Sequence, residues 1–143
     1  MLIRRETAAD QAAIHAVHSE AFRREAGVTP VEAPLVDELR AEGDLINALS
    51  LVALHDGEVI GHVCCSRARL GEDKKTAVGL GPLGVLPAHQ TSGVHAAADA
   101  LGHGLSITAP DPRWGRYFQA RTLSAYEPTQ AGAFEYAPAF SRI

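Results

Sequence analysis

The chemistry of the 143-residue chain concentrates in one stretch, Gly79 to His95, GLGPLGVLPAHQTSGVH. It reads as an apolar strand interrupted by Gly79, Gly81, Pro82 and Gly84, closed at Pro87, and entering a helix near Thr91. A helix amino end carries unpaired N–H groups and the positive end of the helix dipole. Gln90, Thr91, Ser92, Gly93 and Val94 would aim backbone N–H groups at one point. That arrangement holds a phosphate or pyrophosphate without a lysine. Gly93 lets an anion come close to the backbone. The glycines from 81 to 84 predict a bulge whose freed N–H and C=O groups can pair with an extended ligand arm, as in strand addition.

Other residues carry weaker chemistry. His55, His62, His89, His95 and His103 show no metal spacing with carboxylates, and no metal is expected. They read as hydrogen-bonded or exposed imidazoles. His89 and His95, beside the expected reaction centre, are also candidates for a proton carrier near neutral pH. Arg67 and Arg69 share one strand face, which is either a solvated face or a contact for an acidic substrate. Arg113, Trp114 and Arg116 are either a ligand clamp or a surface cluster. The adjacent Cys64 and Cys65 point to opposite faces of a strand, which does not suit a mutual disulfide, and read as small buried hydrophobes.

The elements that must position this stretch follow from periodicity. Leu2, Ile3 and Arg4 begin a strand. Thr7 and Asp10 have capping-box spacing before a helix whose apolar stripe is Ile14, Val17, Ala21 and Phe22, running to about Glu25. His15 and His18 flank that stripe and read as surface residues. Gly27 to Pro34 reads as a loop, and Leu35, Val36 and Leu39 as a second amphipathic segment up to Gly43. Leu49–His55 and Val59–Arg67 are strands joined by Asp56-Gly57, the strongest short hairpin signal. Thr76–Leu86 is a third strand. Thr91–Leu101 is a short Ala-rich helix stopped by Gly102 and Gly104, and Leu105–Ala109 a last short strand.

Composition narrows the class. Apolar residues make up 46 % and charged residues 21 %, which excludes a disordered chain, a coiled coil and a fibrous repeat. A net charge of −4 argues against a nucleic-acid partner. No apolar run reaches the roughly 18 residues of a membrane span, and no secretory h-region follows MLIRRE, so no membrane partner and a cytoplasmic location are expected. The length suits one domain, residues 1–143. Seven of the eight aromatic residues lie in the last thirty positions, Trp114 to Phe140. That end must close the core, wall a pocket or make a subunit contact.

At these motifs the chain resembles the GNAT superfamily of acetyl-CoA-dependent N-acetyltransferases. MLIRRETAAD is similar to the family's first strand and helix, and SLVALHDGEVIGHVCCS to its central hairpin. LGPLGVLPAHQTSGVH resembles its fourth strand, bulge and Q/R-x-x-G-x-G/A pyrophosphate loop. DPRWGRYF resembles a D-P-x-Y-Y-x-R-F-G-F segment of one bacterial branch. The resemblance implies an α/β fold, a twisted, mixed, mostly antiparallel sheet flanked by helices and splayed at strand four. It implies acetyl-CoA as co-substrate and a small-molecule amine as acceptor. Leu83, Gly84 and Val85 would pair with the pantetheine arm, and the Val85 N–H would face the thioester carbonyl. Gln90, Thr91, Ser92, Gly93, Val94 and His95 would hold the pyrophosphate. Tyr117 is the nearest match to the family's acid toward the leaving thiolate.

Three features depart from the family. His95 stands where Gly or Ala is usual, the helix over 91–101 spans only about 16 Å, and Thr91 and Ser92 replace basic residues. A second reading is therefore a GNAT fold repurposed without CoA, as a biosynthetic enzyme using His or Tyr acid-base chemistry or as a small-molecule-binding protein. A third is a noncatalytic subunit whose aromatic end makes a homodimer contact.

Overall fold

The computed structural model describes residues 1–23, 28–73, 75–90, 107–108, 110–111, 120 and 122–143. The chain opens with β1 (Leu2–Arg5), α1 (Gln11–Ala21) and α2 (Glu32–Ala41). It continues through β2 (Leu51–His55), β3 (Glu58–Leu70) and β4 (Lys75–Val85) to β5 (Ile107–Thr108) and β6 (Gly132–Glu135). Among the described residues the strands join in one six-stranded sheet. β1, β2, β3 and β4 run antiparallel in that order. β6 joins the far end of β3, with Arg69 opposite Glu135 and Leu70 opposite Phe134, and β5 lies parallel to it. Between β2 and β6 the same edge of β3 takes a bridge from Leu45 to Ser66.

Local sequence explains the entry points. The Asp10 carboxylate accepts bonds from the Thr7 N–H at 2.7 Å and the Thr7 hydroxyl at 2.8 Å, starting the turn that leads into α1. Arg4 grips the same carboxylate through two 2.8 Å bonds and ties β1 to that turn. α2 begins at Glu32, so Pro34 lies inside its first turn, where a missing N–H costs no helical bond. Asp56 and Gly57 both take positive φ, 50° and 87°, as the tight β2–β3 turn requires.

The even-numbered residues of β3 from Ile60 to Leu70 are all buried and face one way, while Arg67 and Arg69 are exposed on the other face. α1 and α2 pack on the buried face. Ile14, Leu35, Val36, Leu39, Leu45, Val52, Cys64, Ala137 and Ala139 form the core, with Phe140 packed against it. Arg142 bonds Glu38 and Glu42 and clamps the carboxyl end onto α2. Among the described residues both named helices lie on this side of the sheet. The helix expected over 91–101 lies outside those residues.

Two expectations are corrected. His18 is buried completely beneath α1 instead of lying on the surface. The carboxyl-terminal strand Gly132–Glu135, which the aromatic-rich end did not announce, completes the sheet. No helix among the described residues is long and apolar enough to cross a membrane.

Leu39 has no exposed surface and belongs to the buried cluster built from both helices and the sheet. Leu39→Ala is expected to lower unfolding stability by about 2–5 kcal/mol in urea titration. A loss below about 1 kcal/mol would show that this cluster is not the core.

Candidate functional site

β4 is where sequence and geometry meet. Val63 pairs with Leu83 and Cys65 with Leu80, so Gly81 and Pro82 together oppose Cys64. Two residues against one is a β-bulge. Gly81 takes φ 119°, open to glycine and strained for other residues. The Gly81–Pro82 peptide is cis. The Cys64 thiol donates to the Gly81 carbonyl at 3.5 Å from beneath, and burial pushes its pKa up to about 12, so it stays a thiol.

Beyond the bulge the ladder sets which backbone groups face outward. The Leu86 N–H donates to the Ile60 carbonyl at 2.9 Å. That bond makes the facing pair Gly61 and Val85 a non-hydrogen-bonded pair. The Val85 N–H and C=O therefore point away from β3. By the same alternation Gly84, opposite His62, points its groups toward β3, and Leu83 points outward. Among the described residues no strand pairs with this outer edge of β4. The Gln90 side-chain amide folds back and donates to the Val85 carbonyl at 2.9 Å. One outward acceptor is thus satisfied within the chain, and among the described residues the outward N–H of Val85 meets no backbone acceptor.

The structure therefore brings together four of the expected site residues: Leu83, Gly84, Val85 and Gln90. The turn Pro87–His89 carries the chain from strand to Gln90. Thr91, Ser92, Gly93, Val94, His95 and Tyr117 lie outside the described residues. His89 is half-buried, with its ring 5.5 Å from that of His55. Two open grooves, of about 650 and 580 Å³, lie elsewhere: along α1 and α2 at His15, Asp37 and Arg40, and between α1 and the β2–β3 turn, reaching Leu86.

A second constellation emerges that the sequence reading missed. Glu6, just after β1, is an interior carboxylate. Arg40 of α2 lies 3.2 Å from it, the Ser50 hydroxyl donates to it at 2.5 Å, and His62 Nε2 stands 3.0 Å away. His62 Nδ1 meets His18 Nε2 at 2.8 Å. His18 Nδ1 is buried with no hydrogen-bond partner among the described residues. Burial alone would raise the Glu6 pKa, but the bonds from His62 and Ser50 and the charge of Arg40 outweigh it and hold the pKa at about 2. Burial, reinforced by His62, lowers His18 to about 4. Leaving Nδ1 unpaired costs on the order of 1–3 kcal/mol.

His18 stands over β4. A Cβ on Gly84 would lie 2.9 Å from His18 Nδ1 and 3.4 Å from the Ala21 Cβ, so α1 can cross the strand here only because residue 84 is glycine. Gly79 plays the same part under the Tyr136 ring, 2.7 Å from its missing Cβ. His18 and Tyr136 thus cover the same face of β4 on either side of the bulge. Burial raises the Tyr136 pKa above its ordinary value. The periodicity that placed His18 at the flank of the α1 stripe was the available signal. Its hydrogen-bond partner, His62, comes from 44 residues away. No group of His, Cys, Asp or Glu among the described residues is arranged as a metal site.

Neither a protein-family model nor a curated protein matches the chain. Solved structures do. A GNAT family acetyltransferase from Brucella melitensis, in complex with acetyl-CoA, is 35 % identical over 97 % of this chain and 97 % of its own, with a TM-score of 0.71. The GNAT family N-acetyltransferase YhbS from Escherichia coli, in complex with CoA, shares the fold at a TM-score of 0.69 and 24 % identity, covering 99 % of this chain and 92 % of its own.

The buried histidine gives a pH signature. Folded His18 stays neutral down to about pH 4, whereas in the unfolded chain it charges below about 6.5. The unfolded state binds more protons in that window, so stability is expected to fall as pH drops from 6.5 to 4. Glu6 adds a further loss between 4.5 and about 2. Urea midpoints at pH 7.5, 5.0 and 3.5 read this directly, and His18→Gln should remove the first loss. An unchanged wild-type midpoint between pH 7.5 and 5.0 would contradict the assignment.

Proposed function

Because the chain belongs to the GNAT acetyltransferase family, we propose that it transfers the acetyl group of acetyl-CoA to the amine of a small molecule. The observation that carries this reading is the outer edge of β4: a strand edge that takes no partner strand among the described residues, past a two-for-one bulge, with the Val85 N–H directed outward. The similarity to an acetyltransferase bound to acetyl-CoA supports it further.

In this reading the pantetheine arm lies along β4 as an added strand, pairing with the outward groups of Leu83 and Val85 across the glycine at 84. The Val85 N–H donates to the thioester carbonyl oxygen and stabilises the oxyanion that forms on attack. Gln90, by holding the Val85 carbonyl, fixes the peptide on that side. Gln90 through His95 bind the pyrophosphate at the start of the following segment, with Thr91 and Ser92 hydroxyls in place of basic side chains. Tyr117 protonates the departing thiolate. The net charge of −4 favours a cationic small amine as acceptor over a polyanion.

The test is calorimetric binding of acetyl-CoA, followed by thiol release with a panel of primary amines. Micromolar binding and amine-dependent release are expected. Binding without release toward any amine would exclude amine acetylation. Binding of apolar ligands by a chain that ignores acetyl-CoA would favour a repurposed fold.

Proline at 85 tests the role of the N–H itself. The outward N–H takes no part in the ladder, so Val85→Pro removes a donor without breaking a β3–β4 bond. Val85→Ala keeps the N–H while trimming the side chain. Val85→Pro is expected to lower kcat about 10²–10³-fold relative to Val85→Ala. Equal kcat in the two variants would remove Val85 from the oxyanion site.

A further inference from the structure

Among the described residues, the open edge of β4 has one backbone group already engaged, and a side chain engages it. Gln90 Nε2 donates to the outward Val85 carbonyl at 2.9 Å, from five residues further along the chain. A tight turn makes this possible. The His89 N–H bonds the Leu86 carbonyl at 2.8 Å and the Gln90 N–H the Pro87 carbonyl at 3.4 Å, so the chain doubles back over the end of the strand. The His89 ring lies 5.5 Å from that of His55 and holds the turn against the end of β2. Gln90 itself is exposed. Leu83, the other outward residue, carries no such cap among the described residues. A strand added to this edge would run about 4.8 Å away and send its own N–H to the outward carbonyls. An amide nitrogen 2.9 Å from the Val85 oxygen stands inside that lane. A carbonyl has two lone pairs, so the exclusion is one of space: an amide of the added chain and the Gln90 amide cannot both stand there.

We propose that Gln90 sets which thioesters the protein accepts: its carboxamide covers the pantetheine place on β4 until a pyrophosphate draws it away, so that thioesters without a pyrophosphate are disfavoured. This rests on the acyl-transfer reading above, in which Gln90 opens the pyrophosphate site, and adds a selectivity which that reading lacks. In the free chain the Gln90 bond presets the Val85 peptide, and the arriving arm takes that bond over. The two kinds of thioester then differ in what they return to the displaced amide. A phosphate oxygen accepts a charge-assisted hydrogen bond, stronger than the one given up to a neutral carbonyl. A bare pantetheine thioester takes the carbonyl and leaves the amide only water. The exchange needs side-chain rotations of one exposed residue, while the turn bonds of His89 and Gln90 stay as they are.

The experiment titrates S-acetylpantetheine and acetyl-CoA into wild type, Gln90→Ala and Gln90→Glu by calorimetry, with unfolding temperatures to show that each variant is folded. Gln90→Ala removes the cap and is expected to bind S-acetylpantetheine about fivefold more tightly than wild type, the ratio that one exposed hydrogen bond represents. Its affinity for acetyl-CoA should not rise, because the bond to phosphate is lost together with the cap. Gln90→Glu keeps the shape but has no hydrogen to donate at neutral pH. It should also tighten the uncharged S-acetylpantetheine, and weaken acetyl-CoA by setting a carboxylate beside its phosphates. In wild type, the Gln90 side-chain amide resonances should shift on saturation with either ligand. Folded variants that hold S-acetylpantetheine no more tightly than wild type would overturn the cap. So would an equal gain for both ligands in Gln90→Ala, or wild-type Gln90 amide resonances that stay in place at saturation, a readout that needs no variant. A wild type that binds neither thioester, with variants that bind neither, would instead overturn the acyl-transfer reading beneath it.

Discussion

An ionised carboxylate in the interior governs much of this structure. Glu6 sits where helices and sheet meet, and a charge removed from water is tolerable only when paired and hydrogen-bonded. Arg40 neutralises it from α2, Ser50 donates from the start of β2, and His62 donates from β3. Three elements distant in sequence are thereby held in one register. The consequence extends to His18, because His62 can satisfy Glu6 with one nitrogen only by presenting the other to α1. The polar line and the apolar core of Ile14, Leu39, Val52 and Cys64 share one layer, so α1 cannot rotate without breaking both.

The same constraint reaches the strand expected to carry the chemistry. α1 lies on β4 at Gly84, at a distance that leaves no space for a side chain. On the other side of the bulge Tyr136 lies on Gly79 just as closely, held in turn by an edge-to-face contact with Phe134 and a tilted one with Phe140. β4 is thus clamped across its face at two glycines, while one edge takes no partner strand among the described residues. A strand held firmly on its face and open along its edge is suited to receive another extended chain by backbone pairing. Rigidity on the face matters because a donor aimed at a developing oxyanion is effective only if its position is set beforehand.

Much of this was legible in the residues. The helical stripe Ile14, Val17, Ala21 and Phe22, the Asp56-Gly57 turn and the glycine-interrupted strand over 76–86 each carry a local signal, and each element forms where that signal lies. The bulge was legible because Gly81, Pro82 and Gly84 have few other uses inside a strand. His18 was not. Its spacing places it beside an apolar stripe, where a polar residue ordinarily meets water, and only the pairing with His62, from 44 residues away, explains its burial. Glu6 was missed for the same reason: a carboxylate after a strand is unremarkable until Arg40 and Ser50 arrive from elsewhere. The strand Gly132–Glu135 escaped because four residues containing glycine give almost no periodicity, and it is held by β3 and β5 rather than by propensity.

The most direct measurement of the central claim is amide exchange at three consecutive residues of β4, read by NMR with and without acetyl-CoA. In the free protein Gly84, whose N–H faces β3, is expected to exchange slowly, and Leu83 and Val85 quickly. On addition of acetyl-CoA, Leu83 and Val85 should become protected while Gly84 is unchanged, because an added strand engages only the outward groups. Protection confined to residues away from β4, or none at all at Val85, would contradict the account.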